Sequence, residues 1–319
     1  MQVAFIGLGN VGRKLAGNLA RSGHALVVHD LNEAVGAPLV AAGARWSDTP
    51  AQAAADAEVV ITCLPSPAAC AAVLEGAGGV LETLRPGTVW IEMSTTDAEE
   101  VGRLAAAVRE RGGEAADCPV SGGCHRAATG NIAILAGCER TTFEKIMPVL
   151  EVLGRDILHT GALGTASQYK VLTNYLASAH LVALAEALTT VAALDLDLNV
   201  AYEAIRVSSG SSFVLETESQ VILNGSRNIG FTLGLVQKDV GLFQSLAERA
   251  GLDLELSPLL LRIFADAIER FGADEWSPNV IRRLEEQSGR SVLAPGFPPE
   301  LEDHAPRVRG AEVILPKRG

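Results

Sequence analysis

Residues 3–20 read VAFIGLGNVGRKLAGNLA: a short apolar run, a glycine-rich turn and the start of an amphipathic helix. Three glycines of the turn, Gly7, Gly9 and Gly12, form the pattern G-x-G-x-x-G. Gly7 permits a tight turn, Gly9 lets backbone amides approach a pyrophosphate, and Gly12 lets the helix lie on the sheet. Because a strand precedes the turn and a helix follows it, the pattern predicts dinucleotide binding. The predicted cofactor contacts of the turn are Gly7, Leu8, Gly9, Asn10, Val11 and Gly12.

An acidic residue at the end of the next strand indicates which dinucleotide is bound. Asp30 lies 18 residues after Gly12 and directly follows the predicted strand Ala25–His29. A carboxylate there accepts hydrogen bonds from both ribose hydroxyls of adenosine. An NADP site would offer Arg or Ser nearby, but Leu31 and Asn32 follow Asp30, so the sequence predicts NAD and disfavours NADP. The alternatives for Asp30 are a helix N-cap and a solvated strand end.

The first half of the chain alternates β-branched runs with helical stretches, which predicts an α/β fold: a Rossmann-type, doubly wound, mostly parallel sheet. The predicted strands are Val3–Ile6, Ala25–His29, Glu58–Leu64, Thr88–Glu92, Glu114–Asp117 and Ile132–Ala136. From Thr165 to about Leu194, a proline-free run rich in Ala and Leu predicts one long helix. Only helical patterns follow it, with Ser211, Ser257 and Ser277 as candidate caps.

These patterns predict four segments. They are an NAD-binding Rossmann domain over 1–162, a long interdomain helix over 163–195, an all-α C-terminal domain over 196–288 and a tail over 289–319. The tail is rich in proline and shows no clear period, so we expect disorder there. The alternative is an arm docked through Val313, Ile314 and Leu315.

Composition excludes several classes of protein. The formal charge of −12 argues against binding nucleic acid, which requires an excess of Lys and Arg. We find no signal-peptide pattern and no run of about 20 uninterrupted apolar residues, so we expect a cytoplasmic protein that does not enter a membrane.

The five cysteines lack paired C-x-x-C spacing, which predicts reduced thiols and no metal. An all-α domain that follows a long helix is expected to complete its hydrophobic core against a second copy of the chain, in a homodimer or homotetramer.

Three further motifs follow the glycine turn in a fixed order. PVSGG at 119–123 follows a predicted strand with a hydroxyl and two glycines, whose N–H groups can converge on a carboxylate. GTASQYKVLTN at 164–174 opens the long helix, and its lysine and asparagine are four residues apart on one face. The last motif is the KD at 238–239. Together with the glycine turn, these motifs resemble the β-hydroxyacid dehydrogenase family over roughly residues 1–290.

The resemblance implies an enzyme that uses NAD to oxidise a small 3-hydroxy acid or to reduce its semialdehyde. Hydride would pass to C4 of the nicotinamide, with Lys170 as the general acid/base. The apolar neighbours Val171 and Leu172 predict that Lys170 is buried, which disfavours its charged form. The resemblance further implies substrate contacts at Ser121, Gly122, Gly123, Asn174, Lys238 and Asp239, and cofactor contacts at Leu64, Pro65, Thr95 and Lys238. The alternatives are an imine reductase and a catalytically silent dinucleotide-binding module of the same fold, and the presence of Lys170 argues against both.

The chain departs from the family pattern directly after PVSGG. Cys124, His125 and Arg126 stand where the family has small residues. One interpretation is a pocket for a second anionic group of the substrate, because the guanidinium of Arg126 is planar and suits such groups. The other is that His125 and Arg126 face solvent or a neighbouring subunit.

Overall fold

The computed structural model describes residues 1–316. They form two compact units: unit 1 comprises Met1–Lys170 and the described residues from Asp303 onward, and unit 2 comprises Val171–Glu302. Residues 317–319, the end of the predicted tail, lie outside the described residues. The division of the chain into four segments stays a prediction.

Unit 1 is built on one sheet of ten strands. The strands are β1 Gln2–Ile6, β2 Ala25–His29, β3 Arg45–Trp46, β4 Val59–Thr62, β5 Val89–Glu92, β6 Glu114–Asp117, β7 Val120–Ser121, β8 Ala133–Gly137, β9 Asp156–Gly161 and β10 Ala311–Glu312. Their order is β10-β9-β8-β6-β5-β4-β1-β2-β3, and β7 pairs with β8. Among these strands, β8 runs antiparallel to β6 and β7, and the other pairs are parallel. The predicted α/β architecture is confirmed.

Helices cover both faces of this sheet. They are α1 Gly12–Ala20, α2 Ala37–Ala41, α3 Pro50–Ala54, α4 Pro67–Glu75, α5 Ala98–Glu110, α6 Gly123–Thr129 and α7 Arg140–Leu153. Successive residues of β1 face opposite sides, because side chains alternate along a strand. Phe5 packs in one core with Leu15 of α1, whereas Ile6 packs in a second core with Leu104 of α5. Burial on both faces explains why Val3–Ile6 of β1 are all apolar instead of alternating with polar residues.

Unit 2 is helical in its described residues, as the sequence predicted. A long helix, α8 Thr165–Ala193, starts in unit 1 and runs into unit 2. The helices after it are α9 Leu198–Arg206, α10 Phe213–Glu216, α11 Glu218–Asn224, α12 Leu233–Arg249, α13 Leu256–Phe271 and α14 Arg282–Ser288. The predicted caps are wrong in detail: Ser212 caps α10 instead of Ser211, Ser257 lies inside α13, and Ser277 is the first residue of a 3-10 helix.

Among the described helices, α8 is the one long and apolar enough to cross a membrane by length and composition. The core helix of a globular protein passes the same test. Leu181, Leu184 and Leu188 of α8 are buried in the core of unit 2. We therefore interpret α8 as a core helix.

The described residues of the tail pack within the two units, whereas the proline content of the tail favoured disorder. Residues 289–302 belong to unit 2, where Val292 is buried in the core. Residues 303–312 belong to unit 1, where β10 extends the sheet beside β9. The docked-arm alternative also needs correction, because Ile314 and Leu315 are 79% and 66% exposed. Backbone and charged groups hold the arm instead of these apolar side chains.

Candidate active site

The glycine-rich turn between β1 and α1 fits a dinucleotide pyrophosphate. Gly7 has φ +98°, and a Cβ there would lie 2.4 Å from the carbonyl oxygen of Cys63. A Cβ on Gly12 would lie 2.0 Å from the carbonyl oxygen of Gly7, so the helix touches the turn. At Gly9, by contrast, no heavy atom lies within 4 Å of the Cβ position. α1 also starts without a side-chain cap or an acidic residue in its first turn, which leaves its N-terminus favourable to an anion.

Asp30 holds this turn in place. One carboxylate oxygen accepts a hydrogen bond from the N–H of Leu8 at 2.7 Å, and the other accepts from the N–H of Asn32 at 2.9 Å. Asn32, and not Asp30, caps the short 3-10 helix that follows. Asp30 is therefore neither the helix cap nor a merely solvated strand end, and its oxygens keep lone pairs for ribose hydroxyls.

The other predicted cofactor contacts of unit 1 lie where β4 and β5 end. Leu64 and the exposed Pro65 follow β4, and the half-buried Thr95 follows β5. The N–H of Leu64 donates to Ser94 Oγ at 2.7 Å, so the two loops contact each other. Because carboxyl ends of parallel strands meet at one edge of the sheet, this edge is where the dinucleotide fold binds its ligand.

Glu92 bonds the end of β4 to the loop after β5, a role that no sequence pattern indicated. It is 1% exposed, and its carboxylate accepts from Thr62 Oγ1 at 2.8 Å and from the N–H of Ser94 at 2.7 Å. Burial raises the pKa of the Glu92 carboxyl, and the hydrogen bonds from Ser94 and Thr62 oppose that rise.

Ser121, Gly122 and Gly123, the clamp, connect β7 to α6. Gly122 has φ +127° and Gly123 has φ +86°, values that side chains strongly disfavour. A Cβ on Gly122 would lie 3.2 Å from Arg126 Cδ, and one on Gly123 would lie 2.9 Å from the His125 ring. The two large residues that depart from the family pattern thus pack directly against the clamp.

Asp117, the last residue of β6, binds the N-terminus of α8. Its carboxylate accepts from the N–H of Gly164 at 2.7 Å, and from the N–H and Oγ of Ser167 at 2.7 and 2.9 Å. Lys170 lies three residues beyond Ser167 and is 6% exposed, as predicted. Leu172, which was predicted to share the buried face, is 42% exposed.

Asp117 therefore connects the clamp to the lysine helix. The clamp begins four residues after Asp117 in the sequence. The carboxylate of Asp117 fixes the first turn of α8, the helix that carries Lys170. Burial raises the pKa of the Asp117 carboxyl, and the hydrogen bonds from Gly164 and Ser167 oppose that rise. The helix N-terminus contributes favourable potential for the ionised form.

The remaining predicted site residues come together within unit 2. Asn174 Nδ2 donates to Asp239 Oδ2 at 2.5 Å, and Lys238 Nζ lies 2.7 Å from Asp239 Oδ1. Asp239 is 1% exposed, so its carboxylate serves to hold the amide and the ammonium. Direct contact of Asp239 with substrate stays a prediction.

The described residues contain no group of three or more His, Cys, Asp or Glu side chains arranged for a metal ion. The five cysteines are free thiols, and three of them, Cys70, Cys118 and Cys138, are buried.

Two family models match nearly the whole chain. The first, the NAD binding domain of 6-phosphogluconate dehydrogenase, matches residues 2–161. The second, the NAD-binding domain of NADP-dependent 3-hydroxyisobutyrate dehydrogenase, matches residues 164–284.

Proteins of known name match over similar lengths. The 2-(hydroxymethyl)glutarate dehydrogenase of Eubacterium barkeri is 33% identical over 293 residues, which are 92% of this chain and 97% of the relative. The NAD-dependent L-serine dehydrogenase of Pseudomonas aeruginosa is 34% identical over 290 residues, 89% of this chain and 97% of the relative. The crystal structure of 3-hydroxyisobutyrate dehydrogenase from Salmonella typhimurium has a TM-score of 0.83 and 26% identity, covering 89% of this chain and 99% of that one.

Proposed function

Because the chain belongs to the family of 3-hydroxyisobutyrate dehydrogenases and related hydroxyacid dehydrogenases, we propose that it is an NAD-dependent oxidoreductase acting on 2-substituted 3-hydroxypropanoates. It would oxidise the primary hydroxyl group or reduce the matching semialdehyde. The observation that carries this proposal is the burial of Lys170 on α8. The first turn of α8 is hydrogen-bonded to Asp117, which ends the strand that precedes the clamp. The same lysine argues against the imine-reductase and silent-module alternatives.

The names of the similar proteins support this substrate class. 2-(Hydroxymethyl)glutarate, L-serine and 3-hydroxyisobutyrate each carry a hydroxymethyl group on the carbon that bears a carboxylate. They differ in the third group on that carbon, which is a second carboxylate arm, an ammonium or a methyl group. The shared half, a carboxylate beside a primary alcohol, is what a clamp and a lysine can bind in common.

In the proposed reaction, each residue has a role that its chemistry permits. The hydroxyl of Ser121 and the N–H groups of Gly122 and Gly123 bind the substrate carboxylate. Lys170 removes the hydroxyl proton in oxidation and returns it in reduction, and its burial keeps bulk water away from that proton. The glycine turn and Asp30 would hold a nicotinamide cofactor, which would supply the hydride chemistry. Asn174 and Lys238 remain proposed contacts for substrate and cofactor.

A substrate panel tests the proposal. The panel contains 3-hydroxyisobutyrate, L-serine, 2-(hydroxymethyl)glutarate and unsubstituted 3-hydroxypropanoate, each assayed by NADH and NADPH absorbance. We expect NAD-dependent turnover of at least one of the substituted acids. Tight NADH binding without turnover of any acid of the panel would contradict the proposal and favour a binding module.

Replacing Asp117 with Asn is expected to lower kcat about 10-fold and leave the Kd for NADH unchanged. The amide offers one acceptor oxygen where the carboxylate now satisfies three donors, so the first turn of α8 and Lys170 lose their fixed position. Ser167→Ala removes one of those donors and is expected to lower kcat about 2- to 3-fold. Steady-state kinetics and NADH fluorescence titration measure both effects. A folded Asp117→Asn enzyme with the wild-type kcat would contradict this role.

Asp30 is expected to set the preference for NAD. Asp30→Asn keeps an acceptor for the N–H of Leu8 but removes the negative charge that repels a 2′-phosphate. We expect kcat/KM with NAD to fall about 10-fold and the NAD-to-NADP ratio of kcat/KM to fall further. Measured ratios that are equal in the variant and the wild type would show that Asp30 does not select the cofactor.

We also propose that the enzyme is cytoplasmic and forms a homodimer or homotetramer. Apolar side chains on the outer face of α8, including Leu172 and Leu176, are 42% and 45% exposed. Val200 and Val207 of unit 2 are exposed as well, at 65% and 74%. Large exposed apolar side chains at neighbouring positions are typical of a subunit interface. The charge of −12 continues to disfavour nucleic acid as a partner.

A further inference from the structure

The C-terminal arm, residues 303–312, lies beyond both family models, the second of which ends at residue 284. Its outer end is fixed on α7. Arg309 forms an ion pair with the carboxylate of Glu151, and Glu312 forms one with Arg140 at 2.6 Å. The arm therefore lies outside both family models and has a defined place on unit 1.

The inner end of the arm contacts the far end of the clamp helix α6. The carboxylate of Asp303 accepts hydrogen bonds from Thr129 Oγ1 and, at 2.7 Å, from Asn131 Nδ2. Asn131 Nδ2 also donates to the carbonyl oxygen of Ala305 at 3.1 Å. Asp303 and its neighbours thus bind the last residue of α6 and the turn that follows it.

α6 needs such external support because it is short. It has seven residues, a length of about 10 Å, and helices of this size are stable only when they are packed against other elements. α1 supports one side, where Asn18 Nδ2 donates to the carbonyl oxygen of Ala127 at 2.8 Å. Asp303 supports the helix from the arm, and a shift at this end would tilt α6 and displace Gly123 at the other end.

Asp303 also places a negative charge near His125 and Arg126, two of the three residues that depart from the family pattern. Burial by itself raises the pKa of the Asp303 carboxyl, but hydrogen bonds from Thr129 and Asn131 and the charge of Arg126 lower it below its usual value. Burial and then the charge of Arg126 lower the pKa of His125, and Asp303 opposes that shift. The charge of Arg126 thus favours the ionised form of Asp303, and the stem of Arg126 lies against Gly122.

We propose that Asp303 is a positioning residue for the substrate clamp. It holds the far end of α6 through hydrogen bonds from Thr129 and Asn131, and so keeps Gly122 and Gly123 in the conformation that binds a carboxylate. This inference rests on the proposed function of the clamp. It assigns to the arm, an element outside the family models, a role in the affinity for the substrate acid.

The test compares three variants with the wild type, using the best acid of the substrate panel. Asp303→Ala is expected to raise KM for the acid about 3- to 10-fold, to change kcat less than about 2-fold and to leave the Kd for NADH unchanged. Asp303→Asn, which keeps one acceptor oxygen, should give an intermediate KM. Arg309→Ala is the matched control: it removes an ion pair of the same arm on α7 and should leave KM unchanged.

Hydrogen exchange gives a readout that does not depend on activity. Amides of residues 123–131 should exchange faster in Asp303→Ala than in the wild type, and those of α1 should not change. An unchanged KM in Asp303→Ala, or an equal rise in Arg309→Ala, would overturn the positioning role. If the wild type turns over no acid, the proposed function fails, while unchanged exchange at 123–131 in Asp303→Ala would separately refute the support of α6 by the arm.

Discussion

Replacing Lys170 with Ala is expected to lower kcat about 100-fold or more and to leave the Kd for NADH unchanged. The proposed reaction requires a group that takes the hydroxyl proton, and Lys170 is the side chain to which the family motif gives this role. It is 6% exposed, so solvent water is poorly placed to replace the lost amine. The cofactor turn lies at the start of the chain and does not include Lys170. Steady-state kinetics with the best acid, together with NADH titration, measures both quantities.

Lys170→Arg is the matched control for charge and size. Arginine keeps a positive charge but cannot give up its proton near neutral pH, so it is expected to be about as inactive as alanine. Exogenous small amines should partly restore turnover to Lys170→Ala and not to Lys170→Arg, because only the former leaves space. Wild-type turnover in either folded variant would contradict the role of Lys170 as the acid/base.

Replacing Gly9 with Ala is expected to raise the Kd for NADH about 10- to 100-fold without lowering the Tm of the protein free of cofactor. No heavy atom lies within 4 Å of the Cβ position, so the methyl group meets no protein atom and instead enters the space proposed for the pyrophosphate. Isothermal titration with NADH and thermal unfolding of the free protein measure the two effects.

Substitutions of two other glycines serve as comparisons for Gly9→Ala. Gly12→Ala should lower the Tm as well as the affinity, because its Cβ would lie 2.0 Å from the carbonyl oxygen of Gly7. Gly17→Ala lies in α1, where the nearest atom to its Cβ is the flexible end of Arg21 at 3.4 Å, and it should change neither affinity nor fold. If Gly9→Ala bound NADH as tightly as Gly17→Ala does, the turn would not be the pyrophosphate site.

Elements with strong local patterns could be predicted from the sequence, and those that depend on distant partners could not. The bounds of Ala25–His29 and Glu114–Asp117 were predicted correctly, and α8 was predicted to within one residue of its end. β3, β7 and β10 were missed because each has two residues, too few to show a period. β9 was missed because its six residues include Asp156, His159 and Gly161, which interrupt the apolar pattern.

In the candidate active site, too, features that depend on local backbone could be predicted from the sequence, and features that depend on distant partners could not. The glycine turn could be recognised because its glycines act on their own local backbone. The partners of Asp117 lie 47 and 50 residues away, and those of Asp303 lie 172 and 174 residues away. No local pattern reveals such pairings, so the link between clamp and helix and the support by the arm became visible only in the fold. The proline-rich composition of the tail predicted disorder, because composition does not reveal that Thr129 of α6 and Arg140 of α7 donate hydrogen bonds to carboxylates of the tail.

Transfer of deuterium tests whether hydride passes from the hydroxymethyl carbon of the substrate to the nicotinamide. The best acid of the panel is dideuterated at its hydroxymethyl carbon and incubated with NAD and the wild-type enzyme, and the reduced cofactor is examined by mass spectrometry and NMR. We expect one deuterium at C4 of the nicotinamide for each semialdehyde formed, and a rate lowered about 100-fold or more in Lys170→Ala. Reduced cofactor without deuterium, or semialdehyde formed without reduction of NAD, would contradict the proposed hydride transfer.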